Sequence, residues 1–570
     1  MKKQKRPQAT KTAAPAAPHR SWPGWRPNWW QWLAALAGLF LVFEAYGPAL
    51  NGAFVLDDRT LPFMDPNASG RPFSGWINGD RPMLYLSFWA DYRVSETDPY
   101  SYHVTNVLLH FLTSVLIALI AARLLEWAGV AGRQRAGLAV FAGALFLLHP
   151  AQTESVAYVA GRSDVLSTLF YAASFAVFLY RGPEPATLLR AAAIVALFGA
   201  AVVTKEHTLT LPVLLVLTDY FWSHGGSRKN GILYGLLALA GGGGAVLVWR
   251  VLRGANTAGF GMADLTPATY FFTQCRVIWT YIRMFALPYG QNADPDVPLS
   301  PGLFDHGAIF GLAALVAAAA AAWIYRKRWP LASFGVLVFL LLLAPTSSVV
   351  PIRDVLAERR LYLPFLGLAL VCLECLRRVR PREAAWACAA VLALGAVLTY
   401  QRARIWASPL ALWEDTVAKS PRKFRPRFQL AYALYEENRC PEAAQSYETA
   451  SRLGPAGDEL LIDWALALDC AGRANEAIGK LRQAVAFGNT AHVHALMGMV
   501  YGKQGKAQGA FDELAAAEKL DPNFVMTYFY RGNVYATLGD RAAAAREYQH
   551  ALALNPRNQA ARDALGRVSR

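Results

Sequence analysis

The sequence predicts an all-α membrane protein in two parts: a polytopic bundle of about eleven spanning helices, then a helical-repeat solenoid. Three observations carry that expectation. The 570-residue chain is 55% hydrophobic and only 17% charged, against a usual charged share of about a quarter. Its apolar residues fall in runs near the ~20 residues a spanning helix needs. Beyond about residue 405 the composition turns polar, and small residues return on a fixed beat.

The elements follow in order. Residues 1–28 form a basic tail, with Lys2, Lys3, Lys5, Arg6 and Lys11 ahead of the first apolar run. Candidate spans lie at 30–50, 104–122, 136–150, 164–180, 188–204, 208–222, 231–252, 304–325, 331–349, 361–376 and 384–401. The first run is long for the apolar part of a signal peptide, and further spans follow it. The segment Ala268–Leu287 is apolar but carries Arg276 and Arg283, the pattern of an interfacial helix. Basic clusters stand at Arg133/Arg135, Arg181/Arg190, Arg228/Lys229, Arg326/Lys327/Arg328 and Arg377/Arg378/Arg380/Arg382. Threading eleven spans puts every cluster on the side of the basic tail, so the positive-inside rule makes that side cytoplasmic. The formal charge of +16 is thus a property of loops. A nucleic-acid binder would gather it on one polar domain. The same threading puts 51–102, 150–163, 204–208, 254–302, 350–360 and the region from 405 on the outer face.

That last region repeats. Pro421, Pro455, Pro522 and Pro556 recur at about 34 residues or twice that less one. Ala444, Ala477, Ala510 and Ala544 keep the same beat, as do Ala450, Ala484, Ala517 and Ala551. Gly498-Met-Val-Tyr501 returns as Gly532-Asn-Val-Tyr535. Small residues at fixed phase let paired helices approach closely, the tetratricopeptide pattern, here with about four repeats. Such an array offers a groove to a peptide or partner helix. Of the six cysteines, Cys372 and Cys375 form a C-x-x-C inside an apolar run and read as packing residues. Cys440 and Cys470 lie among the repeats, and whether they pair is open.

Polar groups gather where the threading places the outer ends of spans, and a charge at membrane depth usually has a task. Asp57 and Asp58 follow the first span. On extended backbone, neighbouring side chains point to opposite sides, so one would face a reacting centre while the other orients a loop or a cation. Arg81 could hold a phosphate bidentately. His103, Asn106 and His110 share one face of the second span. The histidines stand ~10 Å apart along the axis, too far for one metal ion. His149 through Glu154 ends the third span, then come Gly161-Arg162-Ser163-Asp164, Lys205-Glu206, and Glu358-Arg359-Arg360-Leu-Tyr362. An ordinary solvated turn or an interfacial anchor would explain any one of these. Their gathering on one face points to a shared cavity.

A carboxylate pair with several cations (Arg81, Arg162, Lys205, Arg359) at a membrane surface suits a sugar linked to a lipid phosphate. The leaving group is a weakly basic phosphate, so fixed cations suffice to stabilise its departure. The acceptor hydroxyl is a poor nucleophile, and a positioned carboxylate takes its proton as the bond forms. Metal dependence stays open: the acidic pair could hold a divalent ion, but no third ligand is spaced with it.

At these residues the chain resembles the transmembrane and tetratricopeptide-repeat O-mannosyltransferases and their bacterial relatives. The matching pieces are Phe54-Val-Leu-Asp-Asp58, Arg81-Pro82 and His103-Val-Thr-Asn-Val-Leu-Leu-His110. They continue with His149-Pro-Ala-Gln-Thr-Glu-Ser-Val-Ala157, Gly161-Arg162, Lys205-Glu206, Pro345-Thr-Ser-Ser and Ala357-Glu-Arg-Arg-Leu-Tyr-Leu-Pro364. Arg404-x-Trp406 and Leu412-Trp413 come last, before the repeats. The resemblance covers nearly the whole chain except the tail. It implies a GT-C type glycosyltransferase bundle in 29–404 and a periplasmic repeat domain in 405–570. It further implies a polyprenyl-phosphate-mannose donor, Ser/Thr hydroxyls of a protein as acceptors, and inversion. Asp57 or Asp58 would be the base. Arg81, His103, Asn106, His110, His149, Glu154, Arg162, Lys205, Glu206, Glu358, Arg359 and Tyr362 would line the substrate site. High Ala and Arg usage with short loops points to a bacterial inner membrane. Two other readings compete: a non-catalytic membrane-anchored repeat scaffold for envelope assembly, and a glycosyltransferase acting on a lipid or glycan. A transporter would need midplane charges on broken helices, whereas these charges sit at one face.

Overall fold

The computed structural model describes residues 29–65, 67–181, 185–222, 230–255, 257–262 and 264–570. The lysines of the tail, and Arg228 with Lys229, lie outside the described residues. The described chain is helical throughout, with one isolated antiparallel bridge between Ala258 and Ile352. The first helices are α1 (Trp29–Tyr46), α2 (Phe73–Ile77), α3 (Pro82–Ser95), α4 (Pro99–Trp127), α5 (Gly132–Leu148), α6 (Thr153–Ala157), α7 (Arg162–Leu179) and α8 (Leu188–Val202). Then come α9 (Leu211–Trp222), α10 (Gly231–Gly254), α11 (Pro267–Ala286), α12 (Ala308–Ile324), α13 (Pro330–Leu343), α14 (Phe365–Leu376) and α15 (Pro381–Trp406).

Eleven of these helices stand at the eleven expected spans. Five are long and apolar enough to cross a membrane, and the bent pair α5–α6, broken by 51°, makes a sixth. Helices α8, α13 and α14 are apolar but shorter. The reason lies at the ends of the helices. Short 3-10 turns at Pro150–Gln152, Glu206–Thr210 and Glu358–Leu361 replace regular helix where polar segments fold inward. Irregular backbone is tolerated there because protein groups satisfy it. Helix α11 covers the segment expected to be an interfacial helix. Its buried residues are Tyr270, Thr273, Gln274, Cys275, Val277, Ile278, Tyr281 and Met284, most of them at three- and four-residue steps, while Arg276 turns out to Pro298 O and Ser300 Oγ.

Close packing uses glycine where helices cross. A methyl on Gly335 of α13 would strike the carbonyl of Gly367 on α14, and the converse holds too. Only a residue without Cβ lets these backbones meet, a common device of membrane helix pairs. At one end of the bundle the basic loops knit together. Arg377 Nη1 donates to Ala128 O at 3.0 Å, Gln134 to Arg377 O at 3.1 Å, and Arg378 to Arg328 O at 2.5 Å. Arg377 and Arg378 also hold the buried carboxylate of Glu374 at 2.7 Å. Arg181 pairs with Asp219 there as well.

The opposite end carries the solenoid. After α16 (Pro409–Lys419), antiparallel pairs stack: α17 (Phe424–Glu436) with α18 (Cys440–Ser451), and α19 (Asp458–Cys470) with α20 (Ala474–Val485). Next are α21 (Ala491–Lys503) with α22 (Ala507–Leu520) and α23 (Val525–Thr537) with α24 (Arg541–Leu554), capped by α25 (Gln559–Val568). The eight phase-locked alanines are all buried at 0–1% exposure, so the sequence beat marks the contact line between paired helices. A disulfide joins Cys440 on α18 to Cys470 on α19. The solenoid is fixed to the bundle by a polar seam. Asp294 accepts from Lys423 at 2.5 Å and Arg425 at 2.6 Å, and Arg425 also reaches Asp354 at 2.9 Å. Ser420 meets Asn292 Nδ2 at 2.8 Å, and Arg402 meets Asp415 at 3.1 Å.

Candidate active site

The site is built on the turn after α1. Leu56 takes a positive φ of 50°, an uncommon backbone for a branched side chain, and opens a 3-10 turn over Leu56–Thr60. The extended backbone expected at Asp57-Asp58 is therefore absent. In a 3-10 turn successive side chains stand about 120° apart, and the two aspartates still meet different fates. Asp58 is 1% exposed. Its Oδ2 accepts the Val55 N–H at 3.1 Å and its Oδ1 the Ala160 N–H at 2.7 Å, so it ties this turn to the α6–α7 connection. Burial pushes its carboxyl up to about 7, against the pull of those two N–H groups. Asp57 is exposed. Its backbone N–H donates to Tyr158 Oη at 3.0 Å, and its carboxylate makes no hydrogen bond or ion pair among the described residues.

Three ion pairs converge beside this turn. Arg359 Nη1 lies 2.5 Å from Glu154 Oε1, and its backbone N–H donates to Oε2 at 3.1 Å. Lys205 Nζ sits 2.6 Å from Asp164 Oδ2 and donates to Ser163 Oγ at 3.2 Å. Arg81 grips Glu206 through Nε and Nη2, both at 3.2 Å. The pairs feel one another. Burial lowers Lys205, Asp164 partly restores it, and the Arg81 and Arg359 charges lower it further. Burial would lower Arg359, yet the Glu154, Asp164 and Tyr158 groups hold it above the ordinary range. Burial would raise Glu206, yet the Arg81 charge, the hydrogen bonds the carboxylate accepts and the Lys205 charge together hold it below the usual carboxylate range. Tyr158 feels Asp58, Asp57 and Arg359 together, which places the Asp57-Asp58 turn near Arg359.

The cation side chains are partly open, at 35% for Arg81, 18% for Lys205 and 26% for Arg359, while Glu154 and Asp164 are closed in at 2% and 5%. Arg81 Nη1 and Arg359 Nε and Nη2 donate to no protein acceptor among the described residues. Glu154 and Asp164 thus hold Arg359 and Lys205 from the buried side, and the guanidinium groups of Arg81 and Arg359 keep N–H groups not used by their partners.

The remaining expected residues lie deeper. Arg162 has no exposure. It spends its guanidinium on Asp91 at 2.6 Å, Asn106 Oδ1 at 2.6 Å and Tyr102 O at 2.9 Å, stacked 4.6 Å from the Phe88 ring centre. Asn106 also donates to Val156 O and Tyr158 O. His103 bonds Gly52 O at 3.0 Å. His110 lies between Tyr362 Oη at 2.8 Å and Leu147 O at 3.1 Å. His149 bonds Phe285 O and takes the Ala151 N–H. Glu358 accepts from Gln291 at 3.1 Å and the Asn292 N–H at 2.5 Å, with Arg402 at 3.6 Å. Asp57, Arg81, Lys205, Glu206 and Arg359 form the open rim, whereas His103, Asn106, His110, His149, Arg162, Glu358 and Tyr362 are buried and bonded to protein.

Sequence reasoning passed over Tyr158, Asp91 and His207. Tyr158 sits between two motif pieces and could have been found as the only hydroxyl between them. Asp91 is an acid on the otherwise apolar face of α3. His207, beside Lys205 and Glu206, is lowered to about 4 by burial first and the Lys205 charge second. Among the described residues no three His, Cys, Asp or Glu side chains are arranged to hold a metal ion.

Comparison with known proteins finds a tetratricopeptide repeat near the C-terminal end and O-mannosyl-transferase relatives. A tetratricopeptide repeat family model matches residues 525–558, the α23–α24 pair. Over 156 residues the chain is 36% identical to protein O-mannosyl-transferase Tmtc1 of Drosophila melanogaster, covering 24% of this chain and 17% of that one. It is 23% identical to protein O-mannosyl-transferase F38B6.6 of Caenorhabditis elegans over 73% of this chain and 62% of the relative. Identity is also 23% to protein O-mannosyl-transferase TMTC3 of Mus musculus, over 84% and 57%. The chain thus spans at most about three fifths of these relatives' length. Among solved structures, YrrB, a TPR protein with an unusual peptide-binding site, matches 32% of this chain and 88% of its own at 20% identity, with a TM-score of 0.24, too low to carry an argument. Its apolar helices and its relatives mark this chain as a membrane protein.

Proposed function

We propose that this chain, which belongs with the tetratricopeptide-bearing protein O-mannosyl-transferases, moves a sugar from a polyprenyl-phosphate carrier to Ser or Thr hydroxyls of a polypeptide. The likeness to protein O-mannosyl-transferases supports mannose as the sugar. The observation that carries this reading is one open carboxylate, Asp57, bonded through its backbone to Tyr158, together with three partly open, ion-paired cations, two of them backed by the buried carboxylates Glu154 and Asp164.

The transfer balances on these residues. The acceptor oxygen attacks the anomeric carbon while its proton passes to Asp57. The bond from that carbon to the phosphate oxygen breaks, and the polyprenyl phosphate leaves with the electron pair. The N–H groups of Arg81, Lys205 and Arg359 receive the growing phosphate charge. Attack opposite the leaving group inverts the anomeric centre. Asp58 and Tyr158 hold the base in place. Helices α1–α15 would form the catalytic unit and the repeats would present the acceptor.

Orientation follows from two supports. The basic loops gather at the far end of the bundle, the end the positive-inside rule assigns to the cytoplasm. The Cys440–Cys470 disulfide suits an oxidising compartment, so the site and repeats would face the periplasm of a bacterial inner membrane.

The test is direct. Purified protein is incubated with polyprenyl-phosphate-mannose and a pool of Ser/Thr peptides, and peptides are searched for a hexose mass shift. Transfer only to a lipid or glycan would redirect the acceptor assignment. No transfer from any lipid-phosphate sugar, with partner binding intact, would favour the scaffold.

A further inference from the structure

The base turn is gripped from two sides, and one of them is the repeat array. From the bundle, Asp58 and Tyr158 bind it as described. From the solenoid, Arg59 stacks its guanidinium 4.5 Å from the ring centre of Tyr432 on α17, while its Nε turns back to Phe54 O at 3.4 Å. Leu56 packs against two apolar clusters at once. One contains Val55, Tyr158 and Trp406 of the bundle with Leu412. The other is the core of the first repeats, with Trp413, Phe428 and Leu434. The far end of the array touches the same loop, where Arg557 donates to Ser69 Oγ at 2.9 Å.

Leu56 is also the residue with positive φ. A backbone of that kind persists only where its surroundings over-determine it. Here the surroundings are the two cores that Leu56 bridges and the Arg59 stack three residues on. Removing the repeat side would leave the strained residue held by the bundle alone, and Asp57 follows Leu56 directly. A reacting group displaced by about 1 Å can lose 100-fold in rate, so this grip bears on chemistry.

We propose that the first repeat is a working part of the transfer centre, with Tyr432 and Arg59 as positioning residues that hold the Asp57 turn from the solenoid side. This rests on Asp57 as the base. It departs from the view of the array as a detachable receptor for the acceptor. A receptor sets the acceptor KM, whereas a clamp on the base sets kcat.

The test uses the full chain in nanodiscs, with Tyr432→Ala, Tyr432→Phe, Arg59→Ala and the double variant Arg59→Ala/Tyr432→Ala. Hydrogen exchange of the segment 54–61 reports the turn without any reference to activity. Loss of an exposed cation–ring contact predicts exchange faster by about two- to fivefold in Tyr432→Ala. Tyr432→Phe keeps the ring and restores protection, and the double variant is no worse than either single one. Transfer kinetics should show kcat falling by at least the same factor with acceptor KM unchanged. Unchanged exchange, a purely additive double variant, or a change in KM alone would each overturn the proposal. Full transfer by Asp57→Asn is read separately. It would sink the base assignment even where the exchange result stands.

Discussion

Replacing each aspartate by asparagine separates the two roles proposed for them. Asp57 is exposed and its carboxylate bonds to nothing among the described residues, so Asp57→Asn should shift stability by no more than about 0.5 kcal/mol. As a general base its loss should lower kcat by about 100- to 10,000-fold, or about 3 to 5 kcal/mol of barrier. Asp58 is the reverse case. It accepts two backbone N–H groups at 3.1 and 2.7 Å from a position that is 1% exposed. An asparagine there keeps one acceptor oxygen and turns an NH2 toward the other donor. One charge-assisted bond is lost, about 1.5–3 kcal/mol, and one buried N–H is left unpaired, about 1–3 kcal/mol. With the carboxyl near 7 part of that charge is already gone at neutral pH, so about 2–4 kcal/mol is expected. Thermal unfolding in detergent measures the stability arm, and single-turnover transfer from polyprenyl-phosphate-mannose measures the chemical arm. Full transfer by Asp57→Asn would refute the assignment. An Asp58→Asn chain as stable as the parent but inert would exchange the roles.

Other outcomes follow from the same contacts. Arg359→Ala leaves Glu154, 2% exposed, without its cation, and should destabilise the chain by about 3–5 kcal/mol, read as a lower unfolding midpoint and partly recovered by Arg359→Lys. The raised Asp58 carboxyl makes the folded chain take up a proton between about pH 4, its ordinary value, and 7. Its contribution is complete below pH 4 and fades as pH rises through 7, so the unfolding midpoint of Asp58→Asn should show a flatter pH profile there than the parent's. Reducing Cys440–Cys470, or Cys440→Ser with Cys470→Ser, should cost the first repeats about 2–4 kcal/mol, measured by protease nicking between α17 and α20 with the bundle unaffected.

The bundle was legible because its signals are local and periodic. Apolar runs located eleven helices, and the apolar segment carrying Arg276 and Arg283 is helix α11. The alanine beat located the solenoid because a helix pair needs small residues at its crossing. Span length was less legible: the runs did not reveal that 3-10 turns at Pro150, Glu206 and Glu358 shorten the helices. Of the site, residue types and the shared face could be read, but partnership could not. Nothing near Arg162 announces that Asp91, Asn106 and Tyr102 O absorb its donors, because those groups lie 56 to 71 positions away. The division of labour between Asp57 and Asp58 depends on a positive φ at Leu56 and on the Ala160 N–H, 102 positions on. The seam formed by Asp294 with Lys423 and Arg425 is likewise long-range and left no motif.

The ion-paired rim invites the objection that neutralised cations would bind phosphate weakly. The direction of charge flow answers it. A polyprenyl-phosphate sugar is a diester with one negative charge, and the departing monoester carries about 1.5 to 2 at neutral pH. Charge therefore grows on the phosphate as the glycosidic bond breaks. Cations left unpaired would hold donor and product tightly alike, which deepens binding without lowering the barrier. Glu154, Asp164 and Glu206 trim that uniform attraction while fixing Arg359, Lys205 and Arg81 in orientation. Their N–H groups then act most strongly where the charge is growing. In the proposed transfer, each of the three cations is balanced by its own carboxylate at rest, and Asp57 is left as the carboxylate free to take the acceptor's proton.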